Sequence, residues 1–462
     1  MANEFTVGAA QVDITPDRDM IDQELNGHLR PDERGSRLLA KALVMTWQRQ
    51  RSVLIAVDNC GFETANAVQL CRAVAEATGI PTENIIISAS HTHSAPLLEP
   101  LSGPHPYRDF LYGKIAAVAR EAQQSCRCAR IGHGVTHVAG ASFNQRVPLA
   151  EGGVKFTRDF REGLATGRPV DPRLNVVRID DEQGSPIAGW VRFAAHPACV
   201  IFNAPISAEY PGYMTEELSQ SVSDGAPILF GYGASGDVNC IPMFGTEDDS
   251  AKLGHQLAQQ VAEVFSRIET RAPRRFTGGT KVMNLPLDAS ISLETLDREI
   301  EEIHSFIEGL DRQPDLEWVI GYNCRKEWTV AQKKNLVQPL ADWAERTRRD
   351  IQAGRVFPRH WPVEVIALRL DDLALLFVAC EPFTELGLAV AARSPLQETL
   401  LVSLSNGGEG YIVTAEEHRR GGYEAYHNVR YIRPDKNARP LPYAAKAGEC
   451  LISDCLALIE EI

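Results

Sequence analysis

Positive charge is what this chain has least of. Its 47 lysines and arginines face 61 acids, a net charge of −14. That balance excludes nucleic acid as a main partner, because phosphate binding needs a basic surface. It also excludes an electrostatic hold on anionic membranes. Long apolar runs are missing too: no stretch reaches the roughly 20 residues of a membrane-spanning helix, so no membrane span is expected. Met1-Ala-Asn-Glu-Phe-Thr-Val has neither the basic start nor the apolar run of an export signal. Zinc-ribbon cysteine spacings are absent. Ten cysteines are scattered, several inside apolar stretches (Cys60, Cys71, Cys199, Cys380), and Cys126-Arg-Cys128 is too isolated to bind metal. All ten read as reduced thiols of a cytoplasmic protein.

What is present is an ordinary globular composition, 44% hydrophobic and 23% charged, over 462 residues. Strand-like and helix-like runs alternate. Strands are expected over Thr6–Ile14, Ser52–Asp58, Ile85–Ser90, Pro227–Tyr232, Val363–Leu370, Leu373–Val378 and Leu400–Leu404, with a hairpin of Asn175–Ile179 and Ile187–Ala195. Helices are expected over Ala65–Ala77, Phe110–Gln124, Tyr213–Val222, Asp248–Glu269, Glu385–Ala392 and Leu451–Ile462. Residues 289–355 are charge-rich and helical in pattern, and lack strand signals. The expectation is an α/β protein with mixed sheets flanked by helices. It forms a single large domain over 1–462 that carries a helical insertion at about 289–355.

The most informative segment is Asn84-Ile-Ile-Ile-Ser-Ala-Ser-His91-Thr-His93-Ser94. A buried strand ends in His-x-His, and residues two apart on an extended backbone share a face. The end of such a strand is where open α/β sheets bind ligands, and imidazole suits both metal binding and general base work. A surface pair without function has the same spelling. Val191-Arg-Phe-Ala-Ala-His196-Pro197 repeats the arrangement, with proline stopping the strand. In Leu376-Phe-Val-Ala-Cys-Glu381-Pro382 a carboxylate closes a buried run, an expensive place unless something pairs with it. His91, His196 and Glu381 therefore make a plausible three-ligand set for catalytic zinc.

Two glycine-rich turns complete the candidates. Gly233-Ala-Ser235-Gly236-Asp237-Val-Asn239 presents amides, a hydroxyl and a carboxylate. It lacks the lysine of a phosphate loop and the spacing of a nucleophilic Gly-x-Ser-x-Gly. In Asn406-Gly-Gly-Glu409-Gly-Tyr411, the tyrosine reads as packing by spacing alone.

Taken in order, these motifs resemble the neutral, non-lysosomal ceramidases, zinc-dependent amidohydrolases that split an N-acyl amide. The matching stretches are Val7–Pro16, Ser88–Ser94, Phe143-Asn-Gln-Arg146, Phe193–Pro197, Ala208-Glu-Tyr-Pro-Gly212, Gly233–Asp237, Glu381–Gly387 and 406–414, with 289–355 outside. The resemblance implies a neutral-ceramidase-like catalytic domain. It implies Zn2+ held by His91, His196, Glu381 and Tyr411, with metal-activated water as the attacking group. It makes His93 the acid/base histidine and sets Arg146 against the developing oxyanion. Ser235, Asp237 and Asn239 would line the substrate pocket. The chain departs from the family in lacking an export signal and a C-terminal immunoglobulin-like domain. Glu209 stands for an aspartate, Gln145 for an arginine, and Glu409 adds an acid beside Tyr411. A charged mouth suits a small water-soluble substrate better than a long-chain lipid. An ester, lactone or other polar linkage shares the same tetrahedral intermediate and is the alternative to the amide. A serine hydrolase using Ser235 and a non-catalytic metal scaffold are more distant readings, and a homo-oligomer is compatible with all of them.

Overall fold

The computed structural model describes residues 4–22, 26–98, 105–150, 152–201, 204–326, 328–431 and 439–462. Two sheets dominate. The larger has eight strands in the spatial order Ile228–Tyr232, Pro186–Phe193, Arg173–Asp181, Arg127–His137, Thr6–Asp13, Leu39–Trp47, Gln50–Val57 and Ile85–Ala89. Both its outermost pairings are parallel (Ile228–Tyr232 on Pro186–Phe193, and Ile85–Ala89 on Gln50–Val57), whereas its interior is antiparallel. The smaller sheet orders Phe276–Pro286, His360–Leu370, Leu373–Val378 and Glu398–Val402.

Side chains alternate across a strand, so each sheet offers two apolar faces. Leu43, Leu54, Ile86, Val177 and Trp190 of the large sheet pack with Phe276, Ile366, Leu375, Phe377 and Leu400 of the small one. The opposite face of the large sheet is covered by the helices Thr64–Thr78, Pro106–Gln124, Glu209–Ser221 and Glu247–Arg267. The small sheet is covered on its other face by Thr384–Arg393 and Ala447–Glu461. The result is four layers, helix, sheet, sheet and helix, and the expected α/β class with mixed sheets is what the chain adopts.

The expected elements appear with ends shifted by a few residues. Three long strands escaped the pattern. Leu39–Trp47 is buried for seven of its nine residues, so its polar alternation is lost. Arg127–His137 and Phe276–Pro286 carry glycines and many exposed positions that read as loop.

Residues 289–355 form two helices, Leu293–Gly309 and Val330–Gln352. Between them runs a small hairpin, Trp318–Val319 with Tyr322–Asn323, which the sequence did not signal. Ile303, Phe306, Val319, Tyr322, Val337 and Leu340 give this segment a small core of its own. Among the described residues, no helix is long and apolar enough to cross a membrane.

Candidate metal centre and its cavity

Three strand ends meet where the two sheets face each other. The first is Ile85–Ala89. After it the backbone turns sharply: His91 takes φ +66°, a left-handed conformation costing roughly 1–2 kcal/mol for a residue with a Cβ. Its N–H donates to the Asn59 carbonyl at 2.9 Å, and Nδ1 bonds to the Cys60 carbonyl. With Nδ1 occupied, Nε2 is left to face inward. The second is Pro186–Phe193. The His196 backbone N–H and Nδ1 both donate to the Val238 carbonyl at 3.0 Å, and its Nε2 faces the Glu381 carboxylate with the Tyr232 hydroxyl 3.3 Å away. The third is Leu373–Val378. Glu381 follows it, pairs in parallel with Tyr411, and donates its own N–H to the Gly410 carbonyl at 3.0 Å.

Glu381 Oε2 lies 3.2 Å from His91 Nε2 and 3.5 Å from His196 Nε2, and all three residues are buried. Ligands at 2.0–2.1 Å from a tetrahedral ion are about 3.3–3.4 Å apart, so the spacing fits zinc. Glu381 Oε2, His91 Nε2 and His93 Nε2 are all buried without a hydrogen-bond partner. Orphaned polar atoms are costly, and their convergence is what a cation would relieve. The donor set therefore fits a zinc ion. The ring of His93 stands 4.7 Å from that of His91.

Electrostatics follow from this crowding. Burial disfavours charge on His91, but the Glu381 carboxylate overrides it and raises the imidazole well above its usual range. Burial acts on Glu381 in the opposite sense and is likewise overcome, by His91 and His196, so the carboxyl falls below its usual range. His93 is pushed well down, by burial first and then by His91 and His196. Tyr411 is raised well above its ordinary value by burial and then by Glu381.

Two elements outside the donor set brace the histidine loops. The Glu209 carboxylate accepts from Ser94 Oγ at 3.0 Å and from the Cys199 N–H at 2.7 Å, which ties one loop to the other. The Tyr232 hydroxyl sits 3.0 Å from His196 Nδ1. Cys60, one of the scattered thiols of the sequence, sits beside these donors. Its Sγ is 3.8 Å from His91 Nδ1, and it groups with His91 and His93. Neighbouring parallel strands end at one sheet edge, which places Cys60 beside His91.

A cavity of about 250 Å³ opens onto the centre, with His93, His196, Asn239 and Tyr411 in its wall. Of the glycine-rich turn, only Asn239 reaches it. Ser235 is fully buried and donates to the Gly233 carbonyl. Asp237 is fully buried and accepts from Thr384 N–H at 2.8 Å and Asn144 Nδ2 at 2.6 Å. Both hold the loop rather than face a substrate.

Arg146 also differs from its expected place against an oxyanion. It borders the cavity, but its Nε and Nη1 bind Glu417 and Glu424, and Nη2 donates to the Gly421 carbonyl at 2.8 Å. Glu424 in turn accepts from Gln145 Nε2 at 2.6 Å, and Gln145 Oε1 accepts from Asn239. The guanidinium is thus the hub of a buried network that shapes the wall. Glu409 faces away from the cavity, bonded to Thr64 and to Trp361 Nε1 at 2.7 Å, so it does not charge the mouth.

A four-layer α/β fold with a buried His–His–Glu cluster at its strand ends defines the class. No family description and no curated protein matches the chain. Among solved structures it is similar to the neutral ceramidase of Pseudomonas aeruginosa, at 16% identity and a TM-score of 0.66, over 100% of this chain and 75% of that one. It is similar also to a ceramidase complexed with C2, at 17% identity and a TM-score of 0.67, over 100% and 76%. At that distance the likeness shows the fold, which is neutral-ceramidase-like.

Proposed function

We propose that this chain is a zinc-dependent hydrolase of carbon–nitrogen bonds that cleaves an N-acyl amide of a small, soluble, non-ceramide substrate. The observation that carries the reading is the convergence of buried, unpartnered Nε2 and Oε2 atoms of His91, His93 and Glu381 beside a cavity. The ceramidases that share the fold support the choice of an amide. We take residues 1–462 as one hydrolase domain and 289–355 as an insertion in it.

His91, His196 and Glu381 would hold the metal, with Tyr411 as a fourth ligand. Zinc bound at such a site supplies acidification of water and polarisation of a carbonyl. His93 Nε2, kept neutral by its surroundings, accepts a proton from water and delivers it to the leaving nitrogen. Glu209 keeps the two histidine loops in register. Arg146 acts as a positioning residue, fixing Glu424 and through it Gln145 and Asn239 along the substrate wall.

Elemental analysis of wild type beside His91→Ala and Glu381→Ala tests the reading. About one zinc per chain, lost in both variants, is expected. Folded wild type that cannot be loaded with metal would overturn it. Leaving-group protonation matters most for amides, so His93→Ala should damage amide turnover far more than activated-ester turnover. Equal loss on both would remove the role given to His93, and an ester or lactone preferred by wild type would replace the amide.

A further inference from the structure

Asn239 belongs to the reacting end of the cavity. Its backbone bridges in parallel to that of His196, and the two residues share the cavity wall with His93. Which atom its side chain shows to a substrate is set by three residues in series. Glu424 pairs with the Arg146 guanidinium, and a carboxylate so paired only accepts hydrogen bonds. Gln145 therefore turns its Nε2 toward Glu424, at 2.6 Å, and its Oε1 the other way. Asn239 meets that oxygen with Nδ2.

This polarity has one consistent direction. Turning the Asn239 amide round would set its carbonyl against that of Gln145. Turning both amides would set the Gln145 carbonyl against the Glu424 carboxylate. All three residues are buried, and in such surroundings two facing acceptors are costly. The Asn239 carbonyl is thus held away from Gln145, and no described residue donates to its Oδ1. An acceptor in a cavity wall with no protein donor is matched by an N–H or O–H of the ligand. Beside the histidines, the donor that an N-acyl amide carries is its own N–H.

We propose that Asn239 Oδ1 accepts the N–H of the scissile amide, and that this contact selects a secondary amide over an ester. That the bond so held is the one cut rests on the hydrolase reading above; the N–H contact itself does not. With its hydrogen held by Asn239, the nitrogen keeps its lone pair for the proton that His93 delivers. An ester sets an oxygen lone pair against Oδ1 instead, and a tertiary amide sets a carbon substituent there. Gln145 and Glu424 are positioning residues for this contact, because they decide which end of the Asn239 amide faces the substrate.

The test compares 4-nitroacetanilide with 4-nitrophenyl acetate on the zinc-loaded enzyme, through the amide-over-ester ratio of kcat/KM. In Asn239→Leu the ratio should fall about tenfold, the worth of a buried N–H that loses its acceptor. Gln145→Lys donates to both of its neighbours, so it should turn the Asn239 amide round and lower the ratio as far. A merely structural role for Gln145 would lower both activities together and leave the ratio where it was. Calorimetric binding of acetanilide against phenylacetone, which carries CH2 in place of the N–H, gives a readout without turnover. Wild type should prefer acetanilide by about tenfold, and Asn239→Leu by no more than about twofold. That Asn239-dependent preference, with no amide cleaved, would sink the hydrolase reading and leave the N–H contact standing. An amide-over-ester ratio that survives in Asn239→Leu would overturn the contact alone, as would equal affinity of wild type for acetanilide and phenylacetone.

Discussion

Replacing Arg146 by methionine separates a clamp from a catalyst. The side chains of Arg146, Glu417 and Glu424 are each only 1% exposed, so the substitution strands two carboxylates in a medium that tolerates them poorly. Breaking a buried ion pair costs about 3–5 kcal/mol. Glu417 keeps Arg168, at 2.8 Å, and Arg420, whereas Glu424 keeps Gln145, so the lower end of about 3 kcal/mol applies. Urea unfolding at pH 7 measures it. The pH dependence has a definite sign. Burial raises the Glu417 carboxyl, but Arg146 and Arg168 outweigh it and leave the pKa lowered. Its contribution to wild-type stability is therefore present above the unfolded value and lost as pH falls through the folded one. In the variant that depression is weakened, so the difference between the two proteins shrinks on acidification. Arg146→Met combined with Glu417→Gln and Glu424→Gln should recover much of the stability, and activity should return with it. A loss below about 1 kcal/mol at pH 7 would refute the clamp. So would a stable triple variant whose kcat stays down by about 10²–10³-fold, the signature of a lost oxyanion donor.

Other outcomes follow from the same geometry. Zinc uptake by metal-free protein at neutral pH should release about one proton or more per ion, because His91 holds a proton beside Glu381 until the metal displaces it; calorimetry in buffers of different ionisation enthalpy counts it. Tyr411→Phe keeps the ring and removes the oxygen, so zinc affinity should drop about tenfold or more if the phenol is a ligand, and unchanged affinity would return Tyr411 to packing. Asp237→Asn turns an amide N–H₂ toward Asn144 or the Thr384 N–H and should cost about 1–3 kcal/mol in unfolding experiments, with kcat affected only through the loop; a neutral result would mean that Asp237 is already protonated in the fold.

The parts of the site that could be read in the sequence are those set by local pattern. His91, His196 and Glu381 each follow an apolar strand, and the fold brings those three strand ends together. Tyr411 carried no signal of its own, because a tyrosine after glycines is spelled the same whether it packs or ligates. Glu417, Glu424 and Gln145 were illegible for another reason. Their roles come from long-range pairing, such as Arg146 with acids 271 and 278 residues away, and no periodicity encodes that. The four-layer arrangement was likewise hidden, since a strand buried on both faces, such as Leu39–Trp47, loses the alternation that marks it. Arg146 was set against an oxyanion by the resemblance alone, which carries no sign of its buried partners Glu417 and Glu424.

The metal centre draws on both sheets, with His91 and His196 from the large one and Glu381 from the end of the small one. That division has a consequence for the order of synthesis. A ribosome delivers the two histidines early, but the carboxylate and Tyr411 emerge only after residues 381 and 411 have been made. Until the late sheet docks, the early half offers His91, His93, His196 and the Cys60 thiol, but neither the Glu381 carboxylate nor the Tyr411 phenol. On the proposed reading, the full donor set forms only on completed assembly, and a chain stopped before its last quarter would lack both the carboxylate and the phenol of its metal site.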